Sequence, residues 1–136
     1  MDLEELNIAS LQLSLASQEA RAVDVAEAYT RRIDEIDRSG PCLRSVVELS
    51  PDLLQDSKRC DEQLANGEDP GPLHGVQLLV KDSIDKDSID TADGTQTMGG
   101  SLALAGNYAE RDAFTIERLR NAGAIVMGKT NMSEWG

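Results

Sequence analysis

Positive charge and aromatic side chains are both scarce in this chain of 136 residues. It has 13 Lys and Arg against 25 Asp and Glu, a formal net charge of −12, and only 3% aromatic residues. Binding to a phosphate backbone requires clustered Lys and Arg, so the charge disfavours a nucleic-acid partner, and it disfavours anionic membrane surfaces for the same reason. The scarcity of aromatic residues means that any hydrophobic core must be largely aliphatic.

Long apolar runs and closely spaced cysteines are also lacking, and a secretory leader is not expected. No apolar segment approaches the roughly 20 residues that a membrane-spanning helix needs. The N-terminal residues MDLEELNIAS are acidic and lack the positively charged start of a signal peptide. Cys42 and Cys60 are isolated, and we expect both to be reduced thiols. A cytoplasmic protein is the default expectation from these absences.

The hydrophobic pattern predicts one domain in which helices and strands alternate. Helices are predicted over 7–20, 23–38, 50–66 and 112–123, and strands over 44–49, 76–80 and 124–127. Ser50 and Asp112 are expected to cap the third and fourth helices. The second and third strands are apolar almost throughout, which predicts that protein covers both of their faces. The pattern therefore favours an α/β fold with helical crossovers.

One lysine stands at the end of the second predicted strand, where a long polar loop begins. The apolar run 76–80 is followed by Lys81 and then by acidic residues that lead to a Gly-Gly-Ser turn. A lysine held where a strand leaves the core can lose part of its hydration, which lowers its pKa and makes the neutral amine available as a base. Lys81 is therefore a candidate catalytic residue.

The residues around this lysine and those at the end of the sequence carry a family resemblance. The segments GPLHGVQLLVKDSID (71–85), TADGTQTMGGSLALAG (91–106) and DAFTIERLRNAGAIVMGKTNMSEWG (112–136) resemble the amidase signature family. The resemblance implies a mixed α/β sheet with flanking helices and hydrolysis of linear amide C–N bonds, with neither metal nor cofactor. Residues 1–136 would form the N-terminal part of that domain with about three strands, including a helical arm (1–20) and the lysine strand with its active-site loop (71–101).

The resemblance also implies roles for individual residues. In this family a lysine works with two serines, one on a cis peptide bond and one that is the nucleophile, as a variant of the Ser-Lys hydrolase arrangement. Lys81 would be the proton shuttle that acts through the cis-serine. Active-site support is expected from Asp82, Thr97, Gly99, Gly100 and Ser101. Ser101 and Ser133 are expected to be turn or cap residues rather than nucleophiles.

Neither catalytic serine is expected in this sequence, because nothing in it resembles the Gly-Ser-Ser run that carries them. We therefore expect a truncated hydrolase that is inactive as an isolated chain and whose small-molecule amide substrate is bound only in a full-length family member. The alternative is a non-catalytic paralogue or gene-model fragment that acts as a binding or regulatory partner. Such a chain could associate with a full-length relative through an unpaired sheet edge.

An internal repeat makes the lysine assignment ambiguous. The sequence KDSID at 81–85 recurs at once at 86–90, whereas the family carries one copy. Counting from the strand gives Lys81, and counting back from the TAD sequence at 91–93 gives Lys86. We favour Lys81 because the strand fixes its position, while five extra residues can bulge into a loop at little entropic cost.

Two further patterns suggest other functions. Residues 123–130 match the phosphate-loop sequence G-x4-G-K-T, but the variable positions Ala, Ile, Val and Met are typical of a strand. The aspartates between 82 and 93 do not follow the ligand order of a calcium-binding EF-hand loop. We therefore expect neither a nucleotide nor a metal site, and we expect the single histidine, His74, to have a structural hydrogen-bonding role.

Overall fold

A computed structural model describes residues 3–68, 71–84 and 94–136. Its α-helices are α1 (Ile8–Ala16), α2 (Ala22–Arg32), α3 (Leu53–Ala65) and α4 (Phe114–Asn121), and its strands are β1 (Val46–Leu49), β2 (Gln77–Lys81) and β3 (Ile125–Thr130). A π-helical segment (Ile33–Ser39) continues α2, and a 3-10 turn (Leu102–Leu104) precedes α4. The helices in these ranges are all too short or too polar to cross a membrane.

The three strands form one mixed sheet in the order β1-β3-β2. The central strand, β3, is antiparallel to β1 and parallel to β2. A parallel pair requires a crossover connection, and α4 lies in the connection between β2 and β3. The α/β fold with a mixed three-stranded sheet and flanking helices is thus confirmed.

The sheet carries a hydrophobic cluster on each face. Apolar residues of α1, α2 and α3 pack with Ile125 and Met127 of β3, and Val126 packs on the other face with Val80 and Ile116 of α4. This alternation along β3 follows from the pleat of a strand. The expectation that protein covers both faces holds for β3. It holds only in part for β2, the outer strand of the described sheet, in which Leu78 and Val80 pack with the two clusters whereas Leu79 is 37% exposed.

The ends of the elements differ from the sequence predictions. Asp52, not Ser50, immediately precedes α3, and Ala113, not Asp112, occupies the N-cap position of α4. The Asp112 carboxylate instead pairs with Arg120 at 3.1 Å. Neither Asp52 nor Ala113 makes a side-chain capping hydrogen bond, although Ser50 Oγ accepts one from the N–H of Asp52 at 3.4 Å. Periodicity in the sequence locates the body of a helix, whereas its first residue is uncertain by about one or two positions.

The third strand is longer than predicted because it passes through Gly128 and ends at Thr130. A Cβ atom at Gly128 would lie 2.3 Å from the carbonyl oxygen of Glu48 in β1. Glycine therefore permits the close approach of β1 and β3 and allows pairing to continue to Thr130. This extension places Lys129 inside the sheet.

Candidate active site

Lys81 is the last residue of β2 and is aligned with Thr130 at the end of β3. Its side chain is exposed, and Nζ donates a hydrogen bond to the main-chain oxygen of Gly136 at 2.7 Å. The expected partial dehydration of Lys81 is therefore not seen in the described part of the chain, because β2 is an outer strand and its end lies at the surface. Lys86 and the aspartates at 85, 87, 90 and 93 lie outside the described residues, as does the TAD sequence at 91–93.

Asp82 joins the end of the lysine strand to the glycine turn. Its carboxylate is buried and accepts hydrogen bonds from the main-chain N–H groups of Met98 (3.1 Å) and Gly100 (3.0 Å). Its own N–H donates to the carbonyl of Thr130 at 3.1 Å. One residue after Lys81, the chain is thus fixed to both β3 and the turn 98–101.

Residues 132–136 pack directly on this turn. Gly100 has φ +72°, and a Cβ atom there would lie 2.8 Å from the carbonyl oxygen of Met132. The N–H of Trp135 donates to the carbonyl of Gly99 at 3.0 Å. The turn and the segment 132–136 therefore form one packed unit beside Lys81.

Ser101 is buried and acts as a cap. Its Oγ donates to Glu134 Oε1 at 2.6 Å and accepts from the N–H of Ala103 at 3.3 Å, at the start of the 3-10 turn. This is the cap function predicted from the sequence. The hydroxyl therefore joins the turn to Glu134 of the segment 132–136 and to the start of the 3-10 turn.

The N–H groups of the glycine turn are already engaged. Those of Met98 and Gly100 donate to the Asp82 carboxylate, and that of Ser101 donates to the carbonyl of Met98 at 3.0 Å. An oxyanion site requires N–H groups that point at the reacting oxygen. The turn therefore supports the lysine strand rather than binding an oxyanion in this arrangement.

Lys129 is a buried lysine beside the active-site loop that was not singled out as a site residue from the sequence. It lies on β3 and is 0% exposed, and its Nζ donates to Thr97 Oγ1 at 3.0 Å and to the carbonyl of Ile84. The G-x4-G-K-T match therefore ends on a strand in the sheet, not in a loop that could hold a phosphate. No local signal in the sequence indicated this burial, because Lys129 follows the apolar run 124–127 and Gly128 rather than interrupting the run.

A cavity of about 300 Å³ opens beside this unit. Its lining includes Ser83, Thr97, Leu104, Asn107, Met132 and Trp135. None of these side chains is charged, and Gly136, which accepts the Lys81 hydrogen bond, is also part of the wall. The cavity could therefore hold a small neutral group near the lysine.

A buried Cys60–His74 pair lies on the helical face of the sheet. Cys60 Sγ is 3.1 Å from His74 Nε2. Burial raises the pKa of the Cys60 thiol to about 12 and lowers the pKa of His74. A thiol with so high a pKa is a poor nucleophile, so the pair is structural, as expected for His74. Residues 3–68, 71–84 and 94–136 bring together no group of three or more potential metal ligands.

Comparison with known proteins adds to this geometry. The family profile described as Amidase matches residues 24–136. The chain is 35% identical to a glutamyl-tRNA(Gln) amidotransferase subunit of Carboxydothermus hydrogenoformans over 99% of its length, and 32% identical to an acylamidase of Rhodococcus erythropolis over 99%. It superposes on the crystal structure of a peptide amidase from Stenotrophomonas maltophilia with a TM-score of 0.87 and 43% identity over 96% of the chain.

The chain is much shorter than these proteins. It spans 26% of the amidotransferase subunit, 27% of the acylamidase and 26% of the peptide amidase chain. The similarity therefore concerns about a quarter of each relative.

Proposed function

The chain belongs to the amidase signature family, and on that premise we propose that residues 1–136 supply the lysine base of an amide hydrolase. The neutral amine of Lys81 accepts a proton, through a cis-serine, from the serine that attacks the amide carbonyl. The proton then passes to the leaving nitrogen as the C–N bond breaks, and water hydrolyses the acyl-enzyme. Both serines come from protein outside this sequence.

The position of Asp82 carries the proposal. Lys81 ends a strand, and the next residue binds the turn 98–101 through two N–H groups. The strand before Lys81 and the turn bound by Asp82 therefore both fix the position of the lysine backbone. Such fixed placement of a base relative to its partners is what proton transfer in a hydrolase requires.

The same contacts support Lys81 over Lys86. The ambiguity arose because the strand and the downstream sequence point to different copies of the repeat. The aspartate that contacts Met98 and Gly100 is Asp82 of the first copy. The strand and the downstream turn therefore meet at the same copy, which leaves the five additional residues to be accommodated in the loop.

The exposure of Lys81 is consistent with an incomplete site. The relatives are about four times longer than this chain, and a covering segment would remove part of the hydration of the amine. We therefore propose that residues 1–136 have no hydrolytic activity as an isolated chain. A fluorophosphonate, which reacts with activated serines, should not label the chain, and stoichiometric labelling would contradict this part of the proposal.

The lysine assignment can be tested in a chimera. Residues 1–136 would replace the matching quarter of the Stenotrophomonas maltophilia peptide amidase, with which they share 43% identity. Lys81→Met should lower kcat for peptide amide hydrolysis by about 100- to 10,000-fold, the usual contribution of a general base. Lys86→Met and the exposed-lysine control Lys58→Met should retain activity. Loss of activity only with Lys86→Met would refute the assignment, and a folded but inactive chimera would refute the proposed function.

The exposed β2 edge favours a second candidate, a non-catalytic partner of a full-length relative. Among the described strands, β2 pairs only with β3, and Leu79 is 37% exposed. An open edge strand can pair with another chain. Stable co-sedimentation with the intact peptide amidase, combined with an inactive chimera, would favour this function over catalysis.

A further inference from the structure

We propose that Lys129 is a positioning residue that holds the Lys81–Asp82 segment against the glycine turn by tying together the two flanks of the active-site loop. The proposal rests on the assignment of Lys81 as the base. Lys129 does not contact Lys81 in the described structure. Its effect would pass through Ile84 on one flank and Thr97 on the other.

The contacts come from distant parts of the sequence. Lys129 Nζ donates to the carbonyl of Ile84, three residues after Lys81, and to the hydroxyl of Thr97, one residue before Met98. The two acceptors are 45 and 32 residues from Lys129. One side chain on the central strand thus reaches both ends of the loop.

Thr97 is itself fixed on the other side. Its N–H donates to the carbonyl of Asn107 at 2.9 Å, and its carbonyl accepts from Asn107 Nδ2 at 2.8 Å. A hydrogen bond between Thr97 and Lys129 therefore links the segment 97–107 to the sheet. Among the described residues, the direct hydrogen bonds between the turn 98–101 and the strand end are those of Asp82, and the Lys129 contacts add a second connection through the sheet.

Full burial makes the role of Lys129 specific. A lysine almost never has 0% exposure unless its polar atom is satisfied, because an unpaired buried amine is strongly unfavourable. Burial of the amine therefore favours the arrangement in which the Ile84 carbonyl and the Thr97 hydroxyl both lie within hydrogen-bond distance of Nζ. If either flank moves away, a buried donor loses a partner.

The tandem repeat gives this contact a further importance. Loop closure depends only logarithmically on length, so the loop itself does little to define where its ends lie. A contact that fixes Ile84 fixes the end of the first KDSID copy, 81–85, to the sheet. Lys129 would thereby keep Lys81, rather than Lys86, at the strand end.

Hydrogen exchange on the 136-residue chain tests the proposal without any activity. Thr97→Val removes one acceptor and Lys129→Met removes the donor, each with little change in volume. We expect the N–H groups of Met98 and Gly100, which donate to Asp82, to exchange at least about tenfold faster in both variants. The amides of α2 should keep their rates, and Lys58→Met should change neither group.

The two variants also separate positioning from packing. If Lys129→Met unfolds the chain, a local increase in Thr97→Val still supports the proposal. Unchanged exchange at Met98 and Gly100 in Thr97→Val would overturn it, whatever Lys129→Met does. An equal increase throughout the chain in both variants would also overturn it, because Lys129 would then contribute only to overall stability.

The chimera adds a catalytic readout. Thr97→Val should lower kcat by about 10- to 100-fold with KM nearly unchanged, because a displacement of about 1 Å in the base can cost that much in rate. A KM effect alone would contradict a positioning role. If the parent chimera is inactive, the proposed function fails, while hydrogen exchange still decides whether Lys129 holds the loop.

Discussion

Gly100 offers a direct test of how residues 132–136 pack on the glycine turn, 98–101. It has φ +72°, and an added Cβ would lie 2.8 Å from the carbonyl oxygen of Met132 and 2.9 Å from the carbonyl carbon of Ser133. Both neighbours are main-chain atoms, so neither can turn away as a side chain could. Gly100→Ala should therefore displace the segment 132–136 from the turn.

A matched control separates this clash from backbone strain. Gly67 also has φ +72°, but nothing lies within 4 Å of an added Cβ there. Gly67→Ala should lower the free energy of unfolding by about 1 kcal/mol, the cost of alanine in the left-handed region. Gly100→Ala bears the same strain and weakens the hydrogen bonds Trp135–Gly99 and Ser101–Glu134, each of which contributes about 1 kcal/mol. The expected total is about 3 kcal/mol.

Trp135 is the only tryptophan and reports on the displacement directly. Its fluorescence anisotropy should fall and its quenching by acrylamide should rise in Gly100→Ala, while Gly67→Ala should resemble the parent chain. Urea unfolding followed by circular dichroism gives the free energies. Equal destabilisation of the two variants with unchanged Trp135 anisotropy would refute the packing of 132–136 on the turn.

Two further predictions concern the cysteines and the histidine. Cys42 is exposed, whereas Cys60 is buried and its thiol pKa is raised to about 12. A disulfide reagent should therefore titrate one thiol in the native chain and two in urea. Rapid reaction of both thiols under native conditions would contradict the buried Cys60–His74 pair. Burial lowers the pKa of His74, so the unfolded chain binds the proton first. Protonation of His74 should therefore leave the free energy of unfolding unchanged above the unfolded pKa of about 6.5. Below that pH it should lower the free energy of unfolding, because the unfolded chain takes up the proton more readily. His74→Asn should flatten that decline in urea unfolding between pH 7.5 and 5, and identical pH profiles would show that His74 is not responsible.

The body of each element could be predicted from local sequence, whereas the contacts between elements could not. The apolar run before Lys81 predicts β2, and the structure places the strand at Gln77–Lys81. The burial of Lys129 depends on acceptors 45 and 32 residues away, which no local window contains. The engagement of Met98 and Gly100 by Asp82 likewise spans 16 and 18 residues. The family resemblance predicted the fold and the candidate lysine, but not the side chain that ties the loop to the sheet.

The position of β3 has a consequence for the order in which the chain can fold. Of the three described strands, β3 is synthesised after β1 and β2, yet it lies between them, and β1 and β2 do not pair with each other in the described structure. A nascent chain that has reached only Gly123 therefore contains two of the described strands and none of the pairing seen in the described sheet. The lysine strand would remain without its neighbour until Ile125–Thr130 is synthesised, and its exposed edge is then available to chaperones or to other nascent chains.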